Sequence, residues 1–253
     1  MIGPTPLLDF FKRGEVAPDV RLLAAQGALA PRACEQLAIL VHLLDDADAE
    51  IRRVAEGTLT RIPVGTLQGL LAHPDVPTDL REFFAGRGIV PADVPTIQID
   101  DPLIDTGPDE LPAEGGAESA SQRVTKMSFA DRLRAAVKGT REMRAILIRN
   151  PNKMIAAAVL SSPKVTDSEV ESFARMANVG EDVLRAIASN RSWMKNYGVV
   201  VGLTRNPKTP VAMSLNMMSR LNDRDLTMLS VDRNVPDPLR IAARKRVMAG
   251  TNR

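Results

Sequence analysis

The chain has 253 residues, of which 33 are Lys or Arg, 31 are Asp or Glu, and only 3% are aromatic. This length is enough for one or two domains with a buried core, and the single cysteine, Cys34, excludes an intramolecular disulfide and fits a reducing compartment. The longest stretch without Asp, Glu, Lys or Arg, 62–74, is shorter than the roughly 20 apolar residues of a spanning helix, and residues 1–16 lack the features of a signal peptide. We therefore expect a cytoplasmic protein with no membrane partner.

The near-neutral net charge hides a division between the two halves of the chain. Residues 1–122 hold 9 Lys and Arg against 20 Asp and Glu, whereas residues 123–253 hold 24 against 11. The halves therefore carry opposite net charges. So large a difference indicates charged partners, which are either other molecules or the two halves themselves.

The N-terminal part is predicted to be helical, because it combines few aromatic residues with apolar residues three and four apart. Asp48 is a good N-cap for the segment that follows, in which Ile51, Val54 and Leu59 share one face. Proline begins or precedes most of these segments, as expected for the first turn of a helix. The predicted helices span 18–28, 31–44, 49–61, 64–73 and 78–87.

Residues 96–122 differ in composition from the rest of the chain. They are rich in Pro, Gly, Ser, Asp and Glu, and they contain no Lys or Arg. Such a composition buries too little apolar surface to offset the entropy of ordering, so we predict a flexible, disordered acidic linker at 96–125. The linker joins an acidic N-terminal helical-repeat domain, 1–95, to a basic C-terminal one, 126–253. A short apolar element within it is still able to dock: Ile97, Ile99, Leu103 and Ile104.

The C-terminal half repeats itself. LIRNPNK at 147–153 recurs as LTRNPKT at 203–209, and RAILIRN at 144–150 matches RAIASN at 185–190. Asn tolerates the left-handed conformation that ends a helix, and Pro fits the first turn of the next one, so Asn-Pro predicts a tight corner between two helices. The repeating unit is therefore a helix pair.

A second motif is common to the two halves: Val-Pro-x-x-Leu-Arg occurs at 76–81 and again at 235–240. A helix pair has an apolar face that it cannot bury alone, and stacked pairs form one continuous core. The sequence thus predicts an all-α protein in which helix pairs stack as an α-solenoid in two regions.

Two stretches resemble known repeat families. LVHLLDDADAEIRRVAEGTL, at 40–59, is similar to a HEAT-type repeat, and the Asn-Pro and Val-Pro-x-x-Leu-Arg phrases resemble the HEAT-like and leucine-rich-repeat-variant helical solenoids of bacteria. The resemblance covers most of both halves but not the linker. It implies a binding scaffold rather than an enzyme. Some HEAT-like solenoids are DNA-repair glycosylases, but we do not find their aromatic and acidic site residues in this chain.

The chain carries no catalytic or cofactor-binding signature. Its two histidines, His42 and His73, and its one cysteine lack any zinc-ligand spacing, and Cys34 lies within an apolar helical pattern. The acidic stretch 45–50 lacks the glycine and the terminal glutamate of a calcium loop, and no phosphate-binding loop is present. We therefore expect no catalytic residue, metal, cofactor or small-molecule substrate.

Basic residues recur at the predicted corners of the C-terminal half and are expected to form a ridge along one edge. Three interpretations remain open: a solvated face, a surface for the phosphates of nucleic acid, and a surface for an acidic protein partner or the acidic linker. Only Trp193 and Tyr197 are placed to stack on bases, so recognition of single strands is poorly supported. The candidate ridge consists of Arg144, Arg149, Lys153, Arg185, Arg191, Lys195, Arg205, Lys208, Arg233, Arg240 and Arg244.

The C-terminal half is also rich in methionine. Methionine fills irregular gaps in a core and also serves adaptable binding grooves, and at helical spacing we expect it to fill the core. The residues concerned are Met154, Met176, Met194, Met213, Met217, Met218 and Met228.

The repeats and the missing catalytic motifs together predict a non-catalytic scaffold or adaptor that binds a protein partner along a helical-repeat surface. The alternative is nucleic-acid binding by the basic C-terminal half, masked in cis by the acidic half. A short flexible linker gives an effective concentration of order millimolar, which makes weak charge pairing between the halves matter.

Overall fold

A computed structural model describes residues 6–107 and 119–251. Over these residues, the regular elements are sixteen α-helices and two single-turn 3-10 helices, with no strand. The prediction of an all-α protein is therefore confirmed. Among the described residues, no helix is long and apolar enough to span a membrane.

The first ten helices lie between residues 6 and 160. Asp48 caps α4 as expected, because its carboxylate accepts the N–H of Glu50 at 2.8 Å. The helices are α1 (Pro6–Lys12), α2 (Pro18–Ala25), α3 (Ala33–Leu43), α4 (Ala49–Arg61), α5 (Val64–Leu71), α6 (Thr78–Ala85), α7 (Ala120–Lys126), α8 (Phe129–Lys138), α9 (Arg141–Leu147) and α10 (Lys153–Leu160).

The remaining helices are short and are separated by tight corners. Two 3-10 turns, Trp193–Lys195 and Met218–Arg220, lie between them. The helices are α11 (Asp167–Arg175), α12 (Glu181–Ser189), α13 (Tyr197–Arg205), α14 (Val211–Met217), α15 (Asp223–Val231) and α16 (Asp237–Thr251).

The chain divides into two compact units, and the division differs from the predicted boundaries. Unit 1 comprises Met1–Ile148 and Met154–Val165, and unit 2 comprises Arg149–Lys153 and Thr166–Arg253. Helices α8, α9 and most of α10, which composition assigned to the C-terminal domain, thus pack with α1–α6, as does α7, which falls almost entirely in the predicted linker. The backbone N–H of Arg32 donates to the carbonyl of Ser161 at 3.3 Å. The predicted boundary followed the change in charge composition along the chain, whereas the compact units are defined by how the helices pack.

Where it is described, the predicted linker, 96–125, is ordered and not flexible, and its short apolar element docks, as the sequence allowed. Residues 96–107 lie on unit 1, with Ile97, Ile99 and Leu103 packed against its core. Residues 119–125 enter α7, whose N-terminus is fixed by a capping box between Ser119 and Gln122. The predicted linker residues 108–118 lie outside the described residues.

The core of unit 1 is aliphatic, as a chain with few aromatic residues requires. Leu37, Leu40, Leu70 and Leu71 are fully buried in one cluster. Cys34 belongs to the same cluster, which confirms its expected place in the core. Burial raises the pKa of its thiol to about 12, so the thiol stays protonated.

The corners between helices share one backbone turn. In each, a buried or partly buried residue donates its N–H to the carbonyl of the residue three positions earlier, at 3.1–3.4 Å, just before the next helix begins. This recurrence agrees with the repeated phrases of the sequence. The donors are Val76, Val165, Val179 and Thr209.

The asparagines at these corners are extended, not left-handed as the sequence suggested. Asn190 and Asn206 have φ values of −82° and −74° with extended ψ. Their side chains accept the N–H two residues on, at 2.9 Å from Ser192 and 3.0 Å from Lys208. The corner is therefore an Asx turn, in which the side chain imitates a backbone turn.

Candidate interaction groove of unit 2

An open groove lies along α13 and α15 in unit 2 and has a volume of about 800 Å³. Arg175, the last residue of α11, is one of its lining residues. Val201 and Arg205 contribute from α13, and Arg224 and Met228 contribute from α15. The groove therefore combines guanidinium groups with apolar side chains.

The α13 wall is fixed by close packing against α11. Two glycines of α13, Gly198 and Gly202, face α11, and a Cβ added to Gly202 would lie 3.1 Å from the Cβ of Ala174. Only glycine permits this approach without displacement of α11. The position of the groove wall thus follows from glycines four residues apart on one helix face.

A buried asparagine fastens the ends of these two helices together. Asn206 is 3% exposed, and its amide nitrogen donates to the carbonyl of Ala174 at 2.8 Å and to that of Met176 at 3.0 Å. Its oxygen accepts the N–H of Lys208. Because both ends of the side chain are engaged, Asn206 shapes the groove and is not available to a ligand.

The α15 wall is held through a tyrosine. The hydroxyl of Tyr197 donates to Asp225 at 2.6 Å and accepts the N–H of Asn222 at 3.0 Å. Asn222 in turn caps α15 by accepting the N–H of Asp225 at 2.8 Å. These contacts connect the first turn of α13 to the first turn of α15 and set the width of the groove.

The charge in the groove is positive on balance, because three arginines line it against two aspartates. Arg205 pairs with Asp232 at 3.1 Å, and Arg175 pairs with Glu171 at 2.5 Å. Arg224 is exposed, and no ion-pair or hydrogen-bond partner for it is found among the described residues. Its guanidinium is therefore the group most open to an acidic ligand.

The apolar part of the groove is provided by Val201 and Met228. Met228 is 42% exposed, unlike Met154, Met217 and Met218, which are buried. The expectation that methionine fills the core holds for those three, whereas Met228 presents a flexible apolar surface. An unbranched thioether adapts to ligands of differing shape.

The structure places several candidate ridge residues in roles within the fold. Arg144 is only 4% exposed, and it donates to the carbonyl of Gly139 at 2.7 Å and to that of Lys164 at 3.1 Å. It belongs to unit 1 and caps the ends of neighbouring helices, so it is not a surface residue. Arg244 is exposed but donates to the carbonyl of Ser230 at 2.9 Å.

Other ridge residues form ion pairs. Arg185 pairs with Glu181 one helical turn away, and Arg240 pairs with Asp237. Exposed pairs of this kind contribute little to stability, about 0–1 kcal/mol, and can exchange for a ligand. Lys153 pairs with Asp182 at 2.8 Å, and Arg149 is exposed.

Four ridge residues remain open to solvent. They are exposed and have no ion-pair partner within the part of the chain that the structure describes: Arg191, Lys195, Lys208 and Arg233. Among all eleven candidates, only Arg205 lines the groove. That these residues form one binding ridge stays a prediction.

Sequence reasoning missed Arg175, Arg224 and Val201, and it expected Met228 to fill the core. Arg175 could have been found, because it ends α11 just as Arg205 ends α13. The place of Arg224, Val201 and Met228 in a groove could not be predicted, since it depends on how neighbouring helices pack.

Within the described residues, no group of His, Cys, Asp and Glu side chains is placed to hold a metal ion. Comparison with known proteins finds no matching protein-family model, no matching curated protein and no matching solved structure.

Proposed function

We propose that this chain is a non-catalytic cytoplasmic scaffold or adaptor that binds an acidic peptide segment of a protein partner in the groove of unit 2. The observation that carries the proposal is the open Arg224 beside exposed Met228 in a groove of about 800 Å³. Ligand clefts in proteins measure roughly 300–1,000 Å³ and combine apolar walls with a few polar groups. The repeated corners support the further proposal that the helix pairs stack as a HEAT-like α-solenoid.

The chemistry of the groove selects a ligand that is both acidic and apolar. A carboxylate of the ligand forms a charge-assisted hydrogen bond with Arg224, and an adjacent apolar side chain contacts Met228 and Val201. Arg205 and Arg175 already pair with Asp232 and Glu171. These two arginines bind a second carboxylate of the ligand only when that carboxylate replaces Asp232 or Glu171. We therefore expect ligands whose acidic residues are spaced and not clustered.

The test is a fluorescence-anisotropy titration of the full-length protein against a labelled peptide library in which acidic and apolar residues alternate. We expect binding that Arg224→Glu weakens at least about 10-fold. Arg191→Glu is the matched control, because Arg191 is also exposed and lies outside the groove. Binding that is lost equally in both variants, or that no library member shows, would refute the groove as the site.

We keep nucleic-acid binding as the second candidate, because Arg191, Lys195, Lys208 and Arg233 are exposed and not neutralised by ion pairs within the described residues. Such a surface releases counterions when it binds phosphates, so affinity falls steeply with salt. Titration of duplex DNA, single-stranded DNA and RNA at low and physiological salt tests this candidate. Binding at physiological salt that Lys208→Glu weakens and Arg224→Glu does not would favour it over the groove.

Masking in cis by the acidic half is part of this second candidate and has its own test. The acidic residues at 109–118 are replaced by their amides in the full-length chain, and DNA binding is measured again. Masking predicts tighter binding by the substituted chain than by the wild type. Equal binding would remove masking from the proposal.

A further inference from the structure

Residues 96–107, termed the docked segment, lie in a groove of unit 1 without forming a helix. The centre of the contact is Gln36, which is 2% exposed. Its side-chain oxygen accepts the N–H groups of Leu103 and Ile104 at 2.7 and 3.1 Å, and its nitrogen donates to the carbonyl of Ile104 at 2.5 Å. One side chain of α3 thus both accepts from and donates to the backbone of a non-helical segment.

The groove holds the backbone of the docked segment at two further points. The N–H of Ala33 donates to the carbonyl of Asp101 at 3.0 Å. The N–H of Thr106 donates to the carbonyl of Gly27 at 3.4 Å. Contacts to the backbone accept any residue at those positions, so they supply affinity without selecting a sequence.

Selection comes from the side chains of the docked segment. Ile97, Ile99 and Leu103 pack against the core of unit 1. Ile104 lies over Gly27, where an added Cβ would come within 2.8 Å of its methyl group. Because Gly27 has no side chain, it leaves the space that the isoleucine side chain occupies.

Charges flank these apolar contacts. Asp100 pairs with Arg32 at 3.2 Å, and Asp105 pairs with Lys138 at 2.8 Å. The groove therefore recognises a sequence in which isoleucine and leucine stand beside aspartate, here IDDPLID at 99–105. Helix α3 and the ends of α2 and α8 provide the polar groups that read it.

We propose that this groove of unit 1 is a binding site for a non-helical, acidic and isoleucine-rich peptide segment of a partner protein. The docked segment occupies the site as an internal competitor with the same chemistry. A tethered competitor acts at an effective concentration of order millimolar, so a partner segment must be strongly bound or locally concentrated to displace it. The site is separate from the groove of unit 2, and each can fail without the other.

The test uses the full-length chain with Leu103→Asn and Ile104→Asn, which remove the apolar anchors of the docked segment. The probe is a fluorescein-labelled peptide with the sequence of residues 96–107, and its binding is measured by anisotropy. We expect the variant to bind the peptide at least about 100-fold more tightly than the wild type does. Addition of Gln36→Ala to the variant should remove this binding, and a scrambled peptide should not bind.

Circular dichroism shows whether the variant is folded. A folded variant that binds the peptide no better than the scrambled peptide would overturn the proposal. Where the variant does not fold, hydrogen exchange of the wild type replaces the titration. Excess peptide should then speed exchange at Leu103 and Ile104 as it displaces the docked segment, and unchanged exchange would overturn the proposal.

A second copy of the chain is the competing occupant, because it carries the same segment. Light scattering of the wild type distinguishes the two. A monomeric wild type would agree with a separate protein as the partner. A dimer that the Leu103→Asn, Ile104→Asn variant loses would overturn the assignment to a separate partner in favour of exchange between copies.

Discussion

The side-chain amide of Asn206, at the end of α13, donates a hydrogen bond of 2.8 Å to the carbonyl of Ala174 near the end of α11. It donates a second to Met176 at 3.0 Å. A carbonyl at a helix end has no partner within its own helix, so a side chain from the next helix pair satisfies it. One residue thereby sets the spacing of two helices and the floor of the unit 2 groove.

Asn206→Ala should therefore destabilise unit 2, because it removes two buried hydrogen bonds and leaves two carbonyls unsatisfied. We expect a loss of about 1–3 kcal/mol in the free energy of unfolding, measured by urea denaturation. Asn178→Ala is the matched control, since Asn178 is an exposed corner asparagine of the same unit. Equal stability of the two variants would show that the Asn206 contacts contribute nothing.

The glycines give a pair of predictions with opposite signs. Gly202→Val forces a side chain into the 3.1 Å approach of α13 to Ala174 and should destabilise the protein by about 1–3 kcal/mol. Gly57→Ala, inside α4, meets nothing within 4 Å and should stabilise it by about 0.5–1 kcal/mol. Thermal melts of both variants check the two signs, and a stable Gly202→Val would contradict the close packing.

The groove prediction concerns affinity and not stability. Arg224→Glu should weaken the binding of the peptide found by the library titration at least about 10-fold, because one charge-assisted hydrogen bond is lost. The melting temperature should not change, because Arg224 is exposed and has no ion-pair or hydrogen-bond partner among the described residues. Met228→Asp tests the apolar wall in the same assay. A library peptide that binds both variants as it binds the wild type would place the site elsewhere.

Local structure was the part most accessible from sequence. The predicted helix at 49–61 coincides with α4, and Asp48 caps it, because capping and apolar spacing are local properties. The all-α class followed from the same patterns. The corner asparagines were found at the right places with the wrong conformation, since an extended Asx turn and a left-handed end use the same residue.

Long-range packing was not accessible. The docked segment has the composition of a linker, and nothing local indicates that Gln36, more than 60 positions away, holds its backbone. The predicted domain boundary differs from the observed division for the same reason, since that division depends on contacts between distant residues. Arg144 was assigned to a surface because its charge is visible in the sequence, whereas the two carbonyls that bury it are not.

The division into units predicts how fragments behave. A fragment of residues 126–253, cut at the predicted domain boundary, separates α8–α10 from the helices with which they pack in unit 1. It should expose apolar faces of α8 and α10, bind a hydrophobic dye, and melt less cooperatively than the full chain. Residues 166–253 lack those helices and should bind less dye per residue. Equal dye binding by the two fragments would contradict the observed division.

Glu35 gives a prediction in pH. Its carboxylate is buried and accepts the N–H groups of Leu7 and Leu8 at 2.9 and 3.1 Å, and Ser161 also hydrogen-bonds to it. Burial outweighs these hydrogen bonds and raises the pKa of Glu35 above its ordinary value of 4.5.

Because the folded-state pKa is the higher one, the folded chain binds this proton more readily than the unfolded chain does. The stabilisation from protonated Glu35 is complete below pH 4.5 and is lost as the pH rises through the folded-state pKa. Glu35→Gln keeps an acceptor for Leu7 and Leu8 without a charge. Relative to this variant, the wild type should lose stability as the pH rises towards neutrality.

Urea unfolding of the wild type and Glu35→Gln across this pH range measures the effect. Glu35→Ala serves as a second variant, because it removes the acceptor and should lower stability at every pH by about 1–3 kcal/mol. A wild type and a Glu35→Gln variant whose stabilities change in parallel with pH would show that the Glu35 carboxyl titrates alike in the folded and unfolded chains. In that case the link between α1 and α3 would not depend on the charge of Glu35.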